Sequence, residues 1–292
     1  MAICNFGSLN IDFVYRVDRF VQAGETVNSL GYARNVGGKG LNQSVALARA
    51  GARVYHAGCV GPDGDFLADF LAENGVDTAY LQRVEAPTGH AVIQVDGAGQ
   101  NCILIHAGAN GCVTREQAEE TLRQLAPEGW LLLQNEVSAL PDLIRIGHRR
   151  GMSVVLNPSP ITEELLQAPL ELVDWFILNE TEGAALTGER EPDRIARRLT
   201  GLYPRAAFVL TLGEQGAVYA KGDRRIAVPA VPARAVDTTA AGDTFTGYFL
   251  AEIMRGTPVE GALHVAAAAA ALAVSRPGAA ASIPRRSEVK CP

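Results

Sequence analysis

Several features are scarce or missing in this chain of 292 residues, and each absence closes off a class of function. The five cysteines, Cys4, Cys59, Cys102, Cys112 and Cys291, are odd in number and never spaced as CxxC. That argues against a disulfide framework or a zinc site and leaves reduced, mostly packing residues. Positive charge is not in excess: 26 Lys and Arg against 32 Asp and Glu give a net charge of −6, so neither nucleic acid nor an anionic membrane is expected as a partner. Long apolar runs are missing too, since the longest, Val265 to Val274, is mostly alanine and falls well short of the roughly 20 residues of a membrane span. Residues 1–12 have neither a basic stretch nor the apolar core of a secretory leader, and the expected setting is cytoplasmic. No repeat, low-complexity linker or charge block marks a boundary, so residues 1–292 are expected to form a single domain.

What is present is an alternation of strand-like and helix-like runs, the pattern of an α/β fold in which helices cover both faces of a mostly parallel sheet. Ala2–Phe6, Val54–Cys59, Trp130–Gln134, Ser153–Leu156, Trp175–Leu178 and Ala207–Leu212 have the length and apolarity of buried strands. Leu41–Ala50, Phe66–Asn74, Leu140–Arg150, Pro192–Leu202 and Thr244–Arg255 read as helices. Ile11–Val17 with Glu25–Asn35, and Gly89–His106 with a turn at Asp96–Gly99, instead read as antiparallel strands with no helix between them. They predict a small sheet, about 11–35 and 88–107, projecting as a lid that excludes water from a group-transfer site. Alternating apolar residues such as Ala91, Ile93 and Val95 on that sheet call for a partner surface, hence a homodimer through the lid.

Two glycine-rich segments carry the chemistry. Asn35-Val-Gly-Gly-Lys-Gly-Leu-Asn42 leads into a helix, where free N–H groups meet oxygen-rich ligands. It is not a Walker A loop, because Ala33 stands where the first glycine belongs and Gly40 where Ser or Thr would follow the lysine. No GxGxxG follows the first strand, which weakens a dinucleotide-binding reading. In Asp237-Thr-Thr-Ala-Ala-Gly-Asp243, the amides of Ala240, Ala241 and Gly242 are expected to converge as an anion hole beside the Asp243 carboxylate. A carboxylate at a helix start is also a common cap. The small residues before it clear space for a phosphate next to a general base, which is what phosphoryl transfer requires.

With Gly7-Ser-Leu-Asn-Ile-Asp12, Ile105-His-Ala-Gly-Ala-Asn110, Asn157-Pro-Ser-Pro160, Asn179-Glu-Thr-Glu182 and Thr211-Leu-Gly-Glu-Gln-Gly216, these segments occur in an order that resembles the ribokinase branch of the PfkB family of sugar and nucleoside kinases. The likeness runs from about Asn5 to about Ser287. It implies a three-layer α/β/α domain with a β-sheet lid and ATP-dependent phosphorylation of a sugar primary hydroxyl, with Asp243 as the base. Asn10, Asp12, Gly37, Gly38, Lys39, Gly40, Asn42 and Glu136 would then hold the sugar. ATP would lie on Asn179, Thr211, Leu212, Gly213, Glu214, Gln215, Gly216 and Gly242, with Mg2+ reached by Glu182 through water. A capping box formed by Asn179 and Glu182 would look the same in sequence. The likeness also implies a K+ site from the Asp237 carboxylate, carbonyls near Thr239, Ala273, Arg276 and Gly278, and the Ser282 hydroxyl. Ala267 stands where many relatives carry His or Asn near the adenine edge, implying a less selective donor site. D-ribose is the favoured acceptor; deoxyribose, fructose, adenosine and pseudouridine are the alternatives, and a catalytically silent sugar or nucleotide sensor is the reading of a different class. The sensor has no need of a base beside an anion hole.

Overall fold

The computed structural model describes residues 1–290, so Cys291 lies outside the described residues. The central strands form where apolar runs are buried on both faces. The strands are β1 (Ala2–Phe6), β2 (Asn10–Arg16), β3 (Gly31–Gly37), β4 (Arg53–Val60), β5 (Asp77–Arg83), β6 (Gly89–Val95), β7 (Asn101–His106), β8 (Trp130–Gln134), β9 (Ser153–Asn157), β10 (Trp175–Asn179), β11 (Ala207–Thr211), β12 (Ala217–Lys221) and β13 (Arg224–Val228). The helices are α1 (Lys39–Arg49), α2 (Asp65–Glu73), α3 (Arg115–Arg123), α4 (Leu140–Arg149), α5 (Glu163–Leu166), α6 (Glu180–Thr187), α7 (Pro192–Leu202), α8 (Ala241–Arg255) and α9 (Val259–Val274).

Nine strands make one sheet in the order β13-β12-β11-β10-β9-β8-β1-β4-β5, parallel from β11 to β5 with β12 and β13 antiparallel at one edge. Successive side chains go to opposite faces. Ile177 therefore joins the core with α1, α8 and α9, while Phe176 and Leu178 join the core with α3, α4 and α7. The chain runs from β1 outward to β4 and β5, then returns to the other side of β1 as β8. That makes the β1/β8 boundary the topological switch point, where ligands bind outside the strand ends.

The second sheet has the order β3-β2-β6-β7 and grows directly from the end of β1. Two expectations for it need correction. The predicted Glu25–Asn35 strand starts only at Gly31 and runs on to Gly37, and Glu25–Leu30 is an exposed connection whose last residue donates its amide to the Arg16 carbonyl at 2.7 Å. The sheet is also not wholly antiparallel: β2 pairs in parallel with β6, since the long connection between them lets β6 return in the same direction. The hairpin at Asp96–Gly99 is as expected, closed by the Gly99 amide on the Asp96 carbonyl at 3.0 Å. β5, β12 and β13 are additional to the expected strands: β5 and β13 are the two edges of the sheet with many exposed positions, whereas β12 is a short, mostly buried strand between β11 and β13.

Both glycine-led helices start earlier than their apolar patterns suggest. α1 begins at Lys39 rather than Leu41, after Gly38 turns the chain at φ 94°. α8 begins at Ala241 rather than Thr244, after Ala240 adopts a left-handed conformation at φ 61°. α8 is anchored on the sheet by aromatic packing: Phe249, fully buried, meets Trp175 of β10 edge to face at 5.9 Å and stacks on Phe245. Phe249→Ala is expected to cost about 3–5 kcal/mol of stability, read from the urea unfolding midpoint.

Candidate active site

The site begins with two close approaches that only glycine permits. A Cβ on Gly40 would lie 2.3 Å from the Ser8 amide nitrogen, so the first turn of α1 can press against the β1–β2 turn only without a side chain there. A Cβ on Gly37 would sit 2.2 Å from Oδ2 of Asp12. Gly37 thus leaves room for the Asp12 carboxylate across the lid strands, where Asn10 and Asp12 pair with Gly37 and Asn35.

Glu136 follows β8 and ties these pieces together. Its Oε2 accepts the Ser8 hydroxyl and, at 3.1 Å, the Lys39 amide, while the Ser8 oxygen in turn accepts the Gly40 amide at 3.1 Å. Burial raises the Glu136 carboxyl above its ordinary range, against the pull of the Ser8 hydrogen bond and the Lys39 charge. Burial and the nearby Glu136 charge push Asp12 up to about 7. The Lys39 ammonium is pulled down by burial, but Asp243, Glu136 and Glu182 outweigh that and leave it raised, hence protonated. Asn10 is held through Asn110, whose Nδ2 donates to Asn10 Oδ1 at 2.8 Å while its Oδ1 accepts the Leu9 amide at 3.0 Å. Ser8 and Asn110 lay in quoted motifs without an assigned role, because their partners are distant in sequence.

Asp243 occupies the first turn of α8, with only 8% of its surface exposed. Asn42 Nδ2 donates to its Oδ2 at 3.0 Å and Gln43 Nε2 to its Oδ1 at 2.9 Å. Asn42 Oδ1 is buried and has no hydrogen-bond partner among the described residues. On the far side of Asp243 a cavity of about 210 Å³ opens, walled by Lys39, Asn179, Glu182, Thr211, Ala240, Ala241 and Gly242. Of the three amides expected to form an anion hole, that of Ala241 reaches the Thr238 carbonyl at 3.3 Å, whereas those of Ala240 and Gly242, like that of Asp243, have no backbone partner among the described residues.

On the nucleotide side, Asn179 and Glu182 do form a capping box: the Asn179 side chain accepts the Glu182 amide at 2.8 Å, and Glu182 Oε2 accepts the Asn179 amide at 3.0 Å. Both still line the cavity, so the cap places a carboxylate there and does not compete with that role. The hard oxygen of Glu182 suits Mg2+ held through water. Thr211 lines the cavity, but Leu212, Gly213, Glu214, Gln215 and Gly216 do not; they form a short 3₁₀ turn beside it, closed by the Leu212 amide on the Gly216 carbonyl at 2.8 Å. Ala267 does not line it either. It packs in the core on α9, so a donor-selectivity role for that position is not supported.

Behind the α8 start, Asp237 accepts the Thr239 amide at 2.9 Å and the Gly278 amide at 3.0 Å. Burial pushes its carboxyl up, but these bonds outweigh it and hold it below the usual range. The Ala273 carbonyl accepts the Arg276 amide at 3.1 Å, and the Ser282 hydroxyl donates to the Ala279 carbonyl at 2.8 Å. An ionised carboxylate among loop carbonyls is a donor set of the right chemistry for K+. Among the described residues there is no group of three or more His, Cys, Asp or Glu side chains positioned to hold a metal ion.

Asp12 carries a pH prediction. Because its folded value near 7 lies above the unfolded value near 3.8, the protein loses stability as pH rises from about 4 to 7. Urea midpoints across that window should fall less steeply for Asp12→Asn than for the unaltered chain; parallel slopes would contradict the burial argument.

Residues 2–286 match the pfkB family carbohydrate kinase. The chain is 35% identical to the ribokinase of Bacillus subtilis (strain 168), over 99% of this chain and 98% of that one. It is 32% identical to the deoxyribokinase of Salmonella typhi, over 97% and 96%. Its fold superimposes on Arabidopsis thaliana ribokinase complexed with ribose and ATP with a TM-score of 0.87, at 32% identity, covering 99% of this chain and 97% of that one. No helix among the described residues is long and apolar enough to cross a membrane. With the family model spanning nearly all of it, and with a buried carboxylate at a helix N-terminus beside a cavity, the chain belongs to the pfkB family of carbohydrate kinases.

Proposed function

We propose that this chain transfers the γ-phosphoryl group of ATP to the 5-hydroxyl of D-ribose, giving ribose 5-phosphate and ADP, with Asp243 as general base. The observation that carries the reading is the place of Asp243, between Asn42 on the sugar side and the Gly242 amide and Lys39 on the cavity side. Asn10, Asp12 and Glu136 offer carboxylate and amide oxygens to a polyol. Asp243 takes the hydroxyl proton, the freed oxygen forms a bond to the γ-phosphorus, and the bond from that phosphorus to the bridging oxygen of ADP breaks. The Gly242 and Asp243 amides and the Lys39 ammonium receive the charge of the transferred group.

Mg2+ next to Glu182 would neutralise charge on the triphosphate, and K+ at Asp237, Thr239, Ala273, Arg276, Gly278 and Ser282 would order the loop that starts α8. The whole chain serves as one kinase domain, in which the second sheet is the lid and carries Asn10 and Asp12 over the sugar. ATP as donor, with buried, reduced Cys4 and Cys59, fits a cytoplasmic enzyme. The edge strand β7 leaves Ile103, Leu104 and Ile105 exposed, Leu104 by 72%, which supports a homodimer through this sheet. The second reading is 2-deoxyribose as acceptor, favoured by the 32% identity to a deoxyribokinase.

Three outcomes follow. In a coupled ADP-release assay ribose turns over fastest among ribose, 2-deoxyribose, fructose, adenosine and pseudouridine, and K+ raises its rate; a faster 2-deoxyribose reaction replaces the substrate and keeps the chemistry. Asp243→Asn lowers kcat by about 10²–10⁴ while calorimetry still shows ribose binding, and unchanged turnover would remove Asp243 as the base. Light scattering at micromolar concentration gives the mass of a dimer, which Leu104→Lys reduces to that of a monomer.

A further inference from the structure

Gln43 stands outside the cavity wall, yet it is fully buried and makes more polar contacts than any residue assigned to the sugar. Its Nε2 donates to Asp243 Oδ1 at 2.9 Å and to Asn157 Oδ1 at 3.1 Å, and its Oε1 accepts Gln134 Nε2 at 2.7 Å. Gln134 Nε2 also donates to Asn5 Oδ1 at 3.0 Å. Asn5, Gln43 and Gln134 are each wholly buried, so no water competes for these groups.

An amide can be turned over in principle, exchanging its donor and acceptor. Here both ends of the chain of amides are fixed by backbone carbonyls, which can only accept. Asn5 Nδ2 donates to the Gly40 carbonyl at 2.7 Å, so Asn5 Oδ1 faces Gln134. Asn157 Nδ2 donates to the Ile177 carbonyl at 2.9 Å, so Asn157 Oδ1 faces Gln43. One donor pattern satisfies both ends, and in it Gln43 must present N–H groups to Asp243 and Asn157. The reversed amide would set its oxygen against two other oxygens in a dry interior.

We infer that Gln43 is a positioning residue for phosphoryl transfer, aiming the Asp243 carboxylate at the substrate hydroxyl, and that Gln134 holds Gln43 in the only amide orientation that allows it. This rests on Asp243 being the base. Asn42 constrains one carboxylate oxygen and Gln43 the other, so together they set the carboxylate plane. The charged groups around Asp243 are Lys39, Glu136 and Glu182, and none replaces the Gln43 donor on Oδ1.

The test compares Gln43→Met and Gln134→Met, both of similar volume and without amide donors, with Asp243→Asn as control, on the full chain. For Gln43→Met, kcat is expected to fall at least tenfold while KM for ribose and for ATP stays within about threefold. The acid limb of the kcat–pH profile should move to higher pH, because a buried carboxylate that loses a donor holds its proton more tightly. Gln134→Met should move the profile the same way by less. A kcat within twofold and an unmoved acid limb in a folded Gln43→Met protein would overturn the inference, provided Asp243→Asn is inactive. Full turnover by Asp243→Asn would instead remove the base assignment on which it rests. Should Gln43→Met fail to fold, the profile of Gln134→Met decides alone: a shifted acid limb supports the inference and an unmoved one overturns it.

Discussion

A carboxylate that is to act as a base while shielded from water must be kept charged by donors supplied by the protein, and this requirement organises the molecule. Asp243 is almost fully buried, and its two oxygens are met by amides from consecutive residues of another helix, Asn42 and Gln43. Those donors arrive only because α1 starts against the β1–β2 turn, which the absence of a side chain at Gly40 permits. Behind them, polar residues from β1, β8 and β9 extend into the sheet as a connected set, where a purely apolar core would have left Gln43 without partners. The set ends at Ser44, whose Oγ lies 2.8 Å from Nδ1 of His56, and burial holds that histidine down at about 4 and therefore neutral.

The same constraint explains the division of the site. Charge is concentrated around one residue: Lys39 lies among Asp243, Glu136 and Glu182, and stays protonated through their combined field although it is buried. On the sugar side the carboxyls of Asp12 and Glu136 are raised, since each loses water and each feels a negative neighbour. On the nucleotide side the free amides at the α8 start and the Glu182 cap face an open cavity. The second sheet matters because it carries Asn10 and Asp12, the two polar groups that the proposed sugar site takes from β2.

Much of this was legible in the sequence where the signal is local. The strands near the centre of the main sheet are continuous apolar runs because both of their faces are covered, and they were recognisable for that reason. Edge strands β5 and β13 were not, because solvent on one side dilutes the pattern. The starts of α1 and α8 were placed late, since Gly38, Lys39, Ala240, Ala241 and Gly242 carry no apolar periodicity and are helical or turn-forming through backbone geometry alone.

The sequence by itself determined the fold class, the kinase family and the segments that hold Asp12, Lys39, Asn42 and Asp243, because glycine-rich helix starts, strand-ending polar residues and the Ala-Ala-Gly-Asp turn are each local signals. Only the tertiary structure decided which of those groups touch. That Asn42 and Gln43 both bond to a carboxylate 200 residues away follows from the packing of α1 against α8. That Ser8, Asn110 and Gln134 take part at all depends on partners about 90 to 130 residues distant, a separation at which hydrogen bonds leave no periodic trace in the chain. The physical reason is that local patterns report which face of an element is buried, whereas donor–acceptor pairing is settled only once buried groups from different elements are forced to satisfy one another.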